Sequence, residues 1–259
     1  MNGRVPVDHG RMLDLLAIEG QLLTAATHDA HEDLPVPGTP GRTVGQTVGN
    51  LGDLCEDALS WMGASEQTAS RWGARRPDGG LSGLTGRFTA RLADLLAEFG
   101  TRSPDEPCAT WWPEDHSVGF WLRRMLHATT VHRVDVQVAA GVPMTSIDIA
   151  QAVDGIDEAL RLWFGYRLPA LGISATRSCS VAVSAGGRTW CASAKQRRLE
   201  ARPAGSGAEC EPVATATLGG EPDAVYLWLW GRLPDRAVEV EGDLDAIAQL
   251  WGLLRLATW

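Results

Sequence analysis

The sequence predicts an α+β protein of two domains, a helical bundle over residues 1–172 and a small α+β domain over residues 177–259. Two observations carry this. Up to about residue 172, apolar side chains recur every three or four positions, the spacing of one helix face; beyond about residue 175 they alternate, the spacing of a strand. The 259 residues, 44% hydrophobic and 21% charged, have a globular balance and suffice for two ordinary cores.

Each element has its own signal. Asp8–Ala30 places Leu15, Leu16, Leu22, Leu23 and Ala26 at helical spacing. His31–Gly41 follows, with three prolines and two glycines that forbid a helix. Thr43 is placed to cap a second helix running to about Met62. After a loop rich in Gly and Arg, Leu81–Phe99 forms a third helix stopped by Gly100. Ser117–Ala140, closed by Gly141 and Pro143, is the fourth, and Ile147 to about Leu168 a fifth. Long amphipathic helices with short or Pro-rich connectors make a bundle, with Trp121, Trp163 and Phe164 as packing aromatics. In the second domain Ser178–Ser184 and Arg188–Ser193 alternate around a Gly186-Gly187 turn, a hairpin pattern. Ala214–Leu218 and Ala237–Val240 read as strands, and Pro222–Trp230 and Asp243–Leu256 as helices covering the sheet.

Composition excludes several partners. A net charge of −9 argues against nucleic acid, which needs a concentrated basic surface; the run Gln196-Arg197-Arg198 beside Glu200 reads as a solvated strand end. No apolar run approaches the ~20 residues of a membrane span, and Met1–Val7 lacks a signal-like apolar stretch, so the expected location is the cytoplasm. Cys55, Cys108, Cys179, Cys191 and Cys210 are scattered without a paired motif and are expected to be reduced, mostly buried thiols. Lys195 is the only lysine among 23 basic residues, a bias typical of GC-rich genomes such as those of actinobacteria.

Three segments carry a family resemblance. The first is Val36-Pro37-Gly38-Thr39-Pro40-Gly41-Arg42-Thr43-Val44 followed by Val48-Gly49-Asn50-Leu51-Gly52. The second runs from Phe120 through Arg123-Arg124-Met125 and Val131-His132-Arg133-Val134-Asp135, followed by Asp154–Glu158. The third is Leu229-Trp230-Gly231-Arg232 with Val240-Glu241-Gly242-Asp243. In order and spacing they resemble the mycothiol-dependent maleylpyruvate isomerase family of the DinB-like superfamily. That resemblance implies a DinB-like four-helix bundle, a sterol-carrier-like C-terminal domain, an active site between them, and chemistry on a low-molecular-weight thiol assisted by a divalent metal.

The resemblance also locates a departure. The family holds its metal with a His on the second helix and a Glu and His four residues apart on the fourth; the matching positions here are Asn50, Ala128 and His132. Alanine cannot ligate, and an amide oxygen is a poor zinc donor, so no catalytic metal is expected. A rewired site from His132, Asp53 and a water is the alternative. His132 is then either a structural histidine or a general base titrating near neutral pH. By the resemblance, Arg232 either grips an anionic or hydroxyl-rich substrate or forms an interdomain salt bridge with Asp135 or Asp154. Asn50, Asp53, Thr129, Arg133 and Asp135 complete the candidate substrate- and thiol-binding set. The expected activity is metal-independent transfer or exchange of mycothiol, or a similar thiol, on a small polar substrate such as a sugar derivative, as in antibiotic biosynthesis. The alternatives are a non-catalytic thiol or small-molecule binder and an isomerase with a rewired metal site.

Overall fold

The computed structural model describes residues 7–63, 79–195, 198–204, 210 and 213–257. Residues 1–6, most of the Gly- and Arg-rich loop, and Gln196 and Arg197 of the basic run lie outside these. The protein is α+β and divides into two compact units, Asp8–Thr145 and Ser146–Trp259.

The first unit is helical: α1 (His9–Thr27), α2 (Val44–Trp61), α3 (Gly80–Thr101) and α4 (Val118–Ala140). Local chemistry sets the starts. The Asp8 carboxylate accepts from Arg11 N, Thr43 and Gln46 form a reciprocal capping box, and the Ser117 hydroxyl accepts from Phe120 N. The Pro-rich segment before α2 is ordered by its own backbone, with Val36 N bonded to Arg42 O and Val44 N to Leu34 O. Leu16, Leu23, Val48, Leu51, Phe88, Leu95 and Leu122 are fully buried and form the core. α2 and α3 are stapled at the surface by Glu56, which takes Arg87 and Arg91.

The second unit opens with α5 (Ile149–Asp157), capped by Asp148. The chain then continues as a π-helix, Glu158–Arg167, and a closing turn, Leu168–Ala170. A plain fifth helix is the sequence expectation; the wide turns are a difference. They bring Gly165 close to β3, where a Cβ would lie a tight 3.3 Å from Ala201 N, an approach that favours glycine. The sequence groups residues 146–172 with the first bundle, whereas they fall in the second compact unit, where the buried Trp190 Nε1 donates to Asp157 Oδ1 at 2.9 Å.

The sheet has five strands in the order β3-β2-β1-β4-β5: β1 (Cys179–Ala185), β2 (Arg188–Lys195), β3 (Arg198–Pro203), β4 (Ala216–Gly219) and β5 (Glu239–Gly242). β1 pairs β4 in parallel and every other neighbour is antiparallel. The predicted hairpin is β1–β2, with Ala185 facing Arg188 across the Gly186-Gly187 turn. α6 (Pro222–Leu229) packs on α5, and α7 (Leu244–Ala257) packs on the π-helix, β1 and β4. The expectation of five reduced thiols is corrected for one pair. Cys191 on β2 and Cys210 form a disulfide at a Cα separation of 5.5 Å. They lie nineteen positions apart in sequence, and the return of β3 along β2 helps to bring them together.

Candidate functional site

α4 concentrates polar groups where a bundle normally holds apolar ones. It is buried from Val118 to Val131 and again from Arg133 to Gln137, yet it carries Arg124, His127, Thr129, Thr130, Arg133 and Asp135 in those stretches. Burying so many polar groups costs stability unless partners satisfy them, which makes this helix the place to look for function.

His132 is the less buried group among them, its side chain 12% exposed, and its Nδ1 lies 3.3 Å from Asp135 Oδ2. An ionised carboxylate only accepts, so Asp135 fixes the imidazole proton on Nδ1 and places the lone pair on Nε2. At about 100° per residue, Ala128, His132 and Asp135 fall within about 60° of one another around the helix. The Ala128 methyl thus lies on the face that holds the dyad. The Asp135 side chain is 1% exposed, with its carboxylate against His132. The His-x-x-Asp spacing was the sequence signal for this pair.

The other candidates separate. Thr129 is fully buried with its hydroxyl unbonded, whereas Thr130 donates to Leu126 O at 2.8 Å as helical threonines commonly do. Arg133 is fully buried: Nε and Nη2 bind Glu19, and Nη1 binds Gln137 Oε1 and Thr145 O. That geometry ties α1, α4 and the end of the unit together. Asp53 gives Oδ1 to Arg87 at 2.6 Å and is 63% exposed, so it belongs to the α2–α3 surface staple. Asn50 is half-buried on α2.

The donors do not fit the divalent metal that the resemblance implies. Ala128 offers none and Asn50 only an amide oxygen, which leaves His132 as the one strong donor among the three positions. Among the described residues no three His, Cys, Asp or Glu side chains are grouped to hold an ion. Nor is a cysteine primed as nucleophile. Burial pushes the Cys55, Cys108 and Cys179 thiols above their ordinary value, and for Cys179 this outweighs the hydrogen bond from Gln249.

Arg232 lies in the second unit, just after α6. Trp230 anchors this turn, edge-on to Trp163 and Tyr226 with ring centroids 5.9 and 6.4 Å away. Gly231 then takes φ +72°, and the half-buried Arg232 donates Nη1 to Trp230 O at 2.5 Å. Behind the turn lies Arg255 of α7, 8% exposed, which donates Nη2 to Leu229 O. Sequence reasoning passed over Arg255. Its signal was a cation inside the apolar run Leu253-Leu254-Arg255-Leu256.

A helical unit with a His–Asp pair on its fourth helix, followed by a five-stranded mixed sheet unit, defines the class of two-domain protein to which the chain conforms. The chain belongs to the mycothiol-dependent maleylpyruvate isomerase family: residues 13–137 match the mycothiol maleylpyruvate isomerase N-terminal domain, and residues 150–249 match the family's C-terminal domain. Its fold is similar to the crystal structure of the mycothiol-dependent maleylpyruvate isomerase, with a TM-score of 0.59 and 13% identity over 92% of this chain and 95% of the other. A histidine-to-alanine mutant of the mycothiol-dependent maleylpyruvate isomerase gives a TM-score of 0.58 at the same identity and coverage. No curated protein matches the sequence.

Proposed function

We propose that the protein is a cytoplasmic enzyme that transfers or exchanges mycothiol, or a similar low-molecular-weight thiol, on a small polar acceptor without a resident metal. The observation that supports this is the His132–Asp135 pair on a helix face from which Ala128 has removed a metal donor. In this reading the thiol proton passes to His132 Nε2 and the sulfur attacks the acceptor carbon. A C–S bond forms as the bond to the leaving group breaks, and the imidazolium returns its proton to the departing group. Asp135 stabilises the imidazolium formed in between. Holding thiol and acceptor together supplies much of the acceleration, on the order of 7 kcal/mol or more for well-oriented reactants. Arg232 contributes an anion contact. A sugar-derived acceptor in specialised metabolism fits a reaction whose substrate brings its own good leaving group.

The family match favours a second reading, mycothiol-dependent isomerisation, in which the thiol is released and the product keeps the mass of the substrate. Mass spectrometry of reactions with mycothiol and candidate acceptors separates the two. Under the transfer reading His132→Ala loses about 10²-fold or more in turnover; unchanged turnover would remove the base from the mechanism. Stoichiometric zinc or nickel in protein purified without chelator would refute metal independence. Asn50→His combined with Ala128→Glu should introduce zinc binding, and failure to bind would break the correspondence with the family's ligand positions.

A further inference from the structure

Arg255 is a buried cation of the second unit with few partners for its guanidinium. Its side chain crosses beneath the Leu229–Arg232 turn, and only Nη2 has a protein acceptor. Nε and Nη1 are buried and make no hydrogen bond. The cation stands 5.2 Å from the centroid of the Trp251 ring, which is too weak a contact to replace a counter-ion. The turn is shaped around it, because a Cβ on Gly231 would overlap the guanidinium. A second guanidinium, Arg232, is close enough to act on it electrostatically.

A buried cation with two idle donors and a like charge beside it is costly in a folded protein, and an anion would relieve it. We propose that Arg255 and Arg232 form an oxyanion seat, for a carboxylate or phosphate group of the ligand, with Arg232 as the direct contact and Arg255 as the charge and donors behind it. Burial and then the repulsion of Arg232 push Arg255 down to about 9, in the direction expected of a cation awaiting its counter-charge. The inference deepens the reading of Arg232 as a ligand contact by naming the ligand's chemistry.

The test needs neither thiol nor turnover, so its outcome is separable from that of the transfer reaction. Thermal unfolding is followed with inorganic phosphate, with succinate, and with sodium chloride at matched ionic strength. Phosphate or succinate should raise Tm above the chloride control, and the stronger of the two identifies the oxyanion class. Arg255→Met and Arg232→Met should each weaken that anion by about tenfold or more, while Arg255→Lys retains most of the effect. If Arg255→Met does not fold, Arg232→Met and Arg255→Lys carry the same comparison. The absence of any anion-specific shift in the parent protein, or a full shift retained in Arg255→Met or Arg232→Met, would overturn the proposal.

Discussion

At the scale of single residues, chemistry is set by which atom already has a partner. Asp135 takes His132 Nδ1, and in the proposed transfer reaction that bond assigns the base role to Nε2. Asp135→Asn keeps the shape and removes the charge. It should lower turnover by about 10²-fold, with a smaller change in KM, while the variant still unfolds cooperatively. An unchanged kcat would demote Asp135 to a packing residue. The site was half legible at this scale. His132, Ala128 and Arg232 could be read from their places in recognisable segments. Arg133 could not be sorted from its charged neighbours by sequence, because its role depends on a partner more than 100 positions away. Glu19 is that partner for Arg133.

At the scale of elements, two ion-pair systems hold the helices of the first unit, and they should respond differently. The Glu19–Arg133 pair is buried, so Arg133→Met strands a carboxylate and should cost about 3–5 kcal/mol of stability in denaturant melts. Replacing Glu19 by Leu in the same chain should recover much of that loss, which a substrate-binding role for Arg133 would not predict. The Glu56 staple lies nearer the surface. Burial raises its carboxyl, but hydrogen bonds from Arg87 and Arg91 outweigh this and hold it below the ordinary value. The ionised form is therefore favoured in the folded state. Its stabilisation is present above the unfolded carboxylate value of about 4.3 and is lost as pH falls through the lower folded value. Glu56→Gln should accordingly flatten the acid limb of stability below about pH 4.5 and leave its shape near neutrality unchanged. Lengths and starts of these helices were legible because caps are local. The π-helix was not, since its wide turns have no local cap to announce them.

At the scale of the whole molecule, the change of period near residue 175 was enough to predict an α+β protein. The third strand escaped notice because Arg198, Glu200 and Arg202 dominate its composition and obscure the inward-facing Leu199. The Cys191–Cys210 link also lay beyond reach, being a product of tertiary proximity. It closes a loop of sequence separation 19, which in the chain-entropy view contributes about 3 kcal/mol. Reductant should lower the unfolding midpoint of the parent protein by a corresponding amount, and Cys191→Ala should begin at the lower midpoint and ignore the reductant. Equal reductant sensitivity in both would mean that another thiol is responsible.

The charges of β3 bear on how copies of the protein meet in a crowded solution. β3 is an edge strand, and edges invite pairing with another chain. In an antiparallel self-pairing centred on Glu200, that residue would face its own copy, and Arg198 would face Arg202. Every outward pair would then be of like sign, which disfavours the register. Pro203, with no N–H to donate, ends the ladder on the same strand. The residues that hid the strand from a reader of the sequence are those that keep its edge from polymerising.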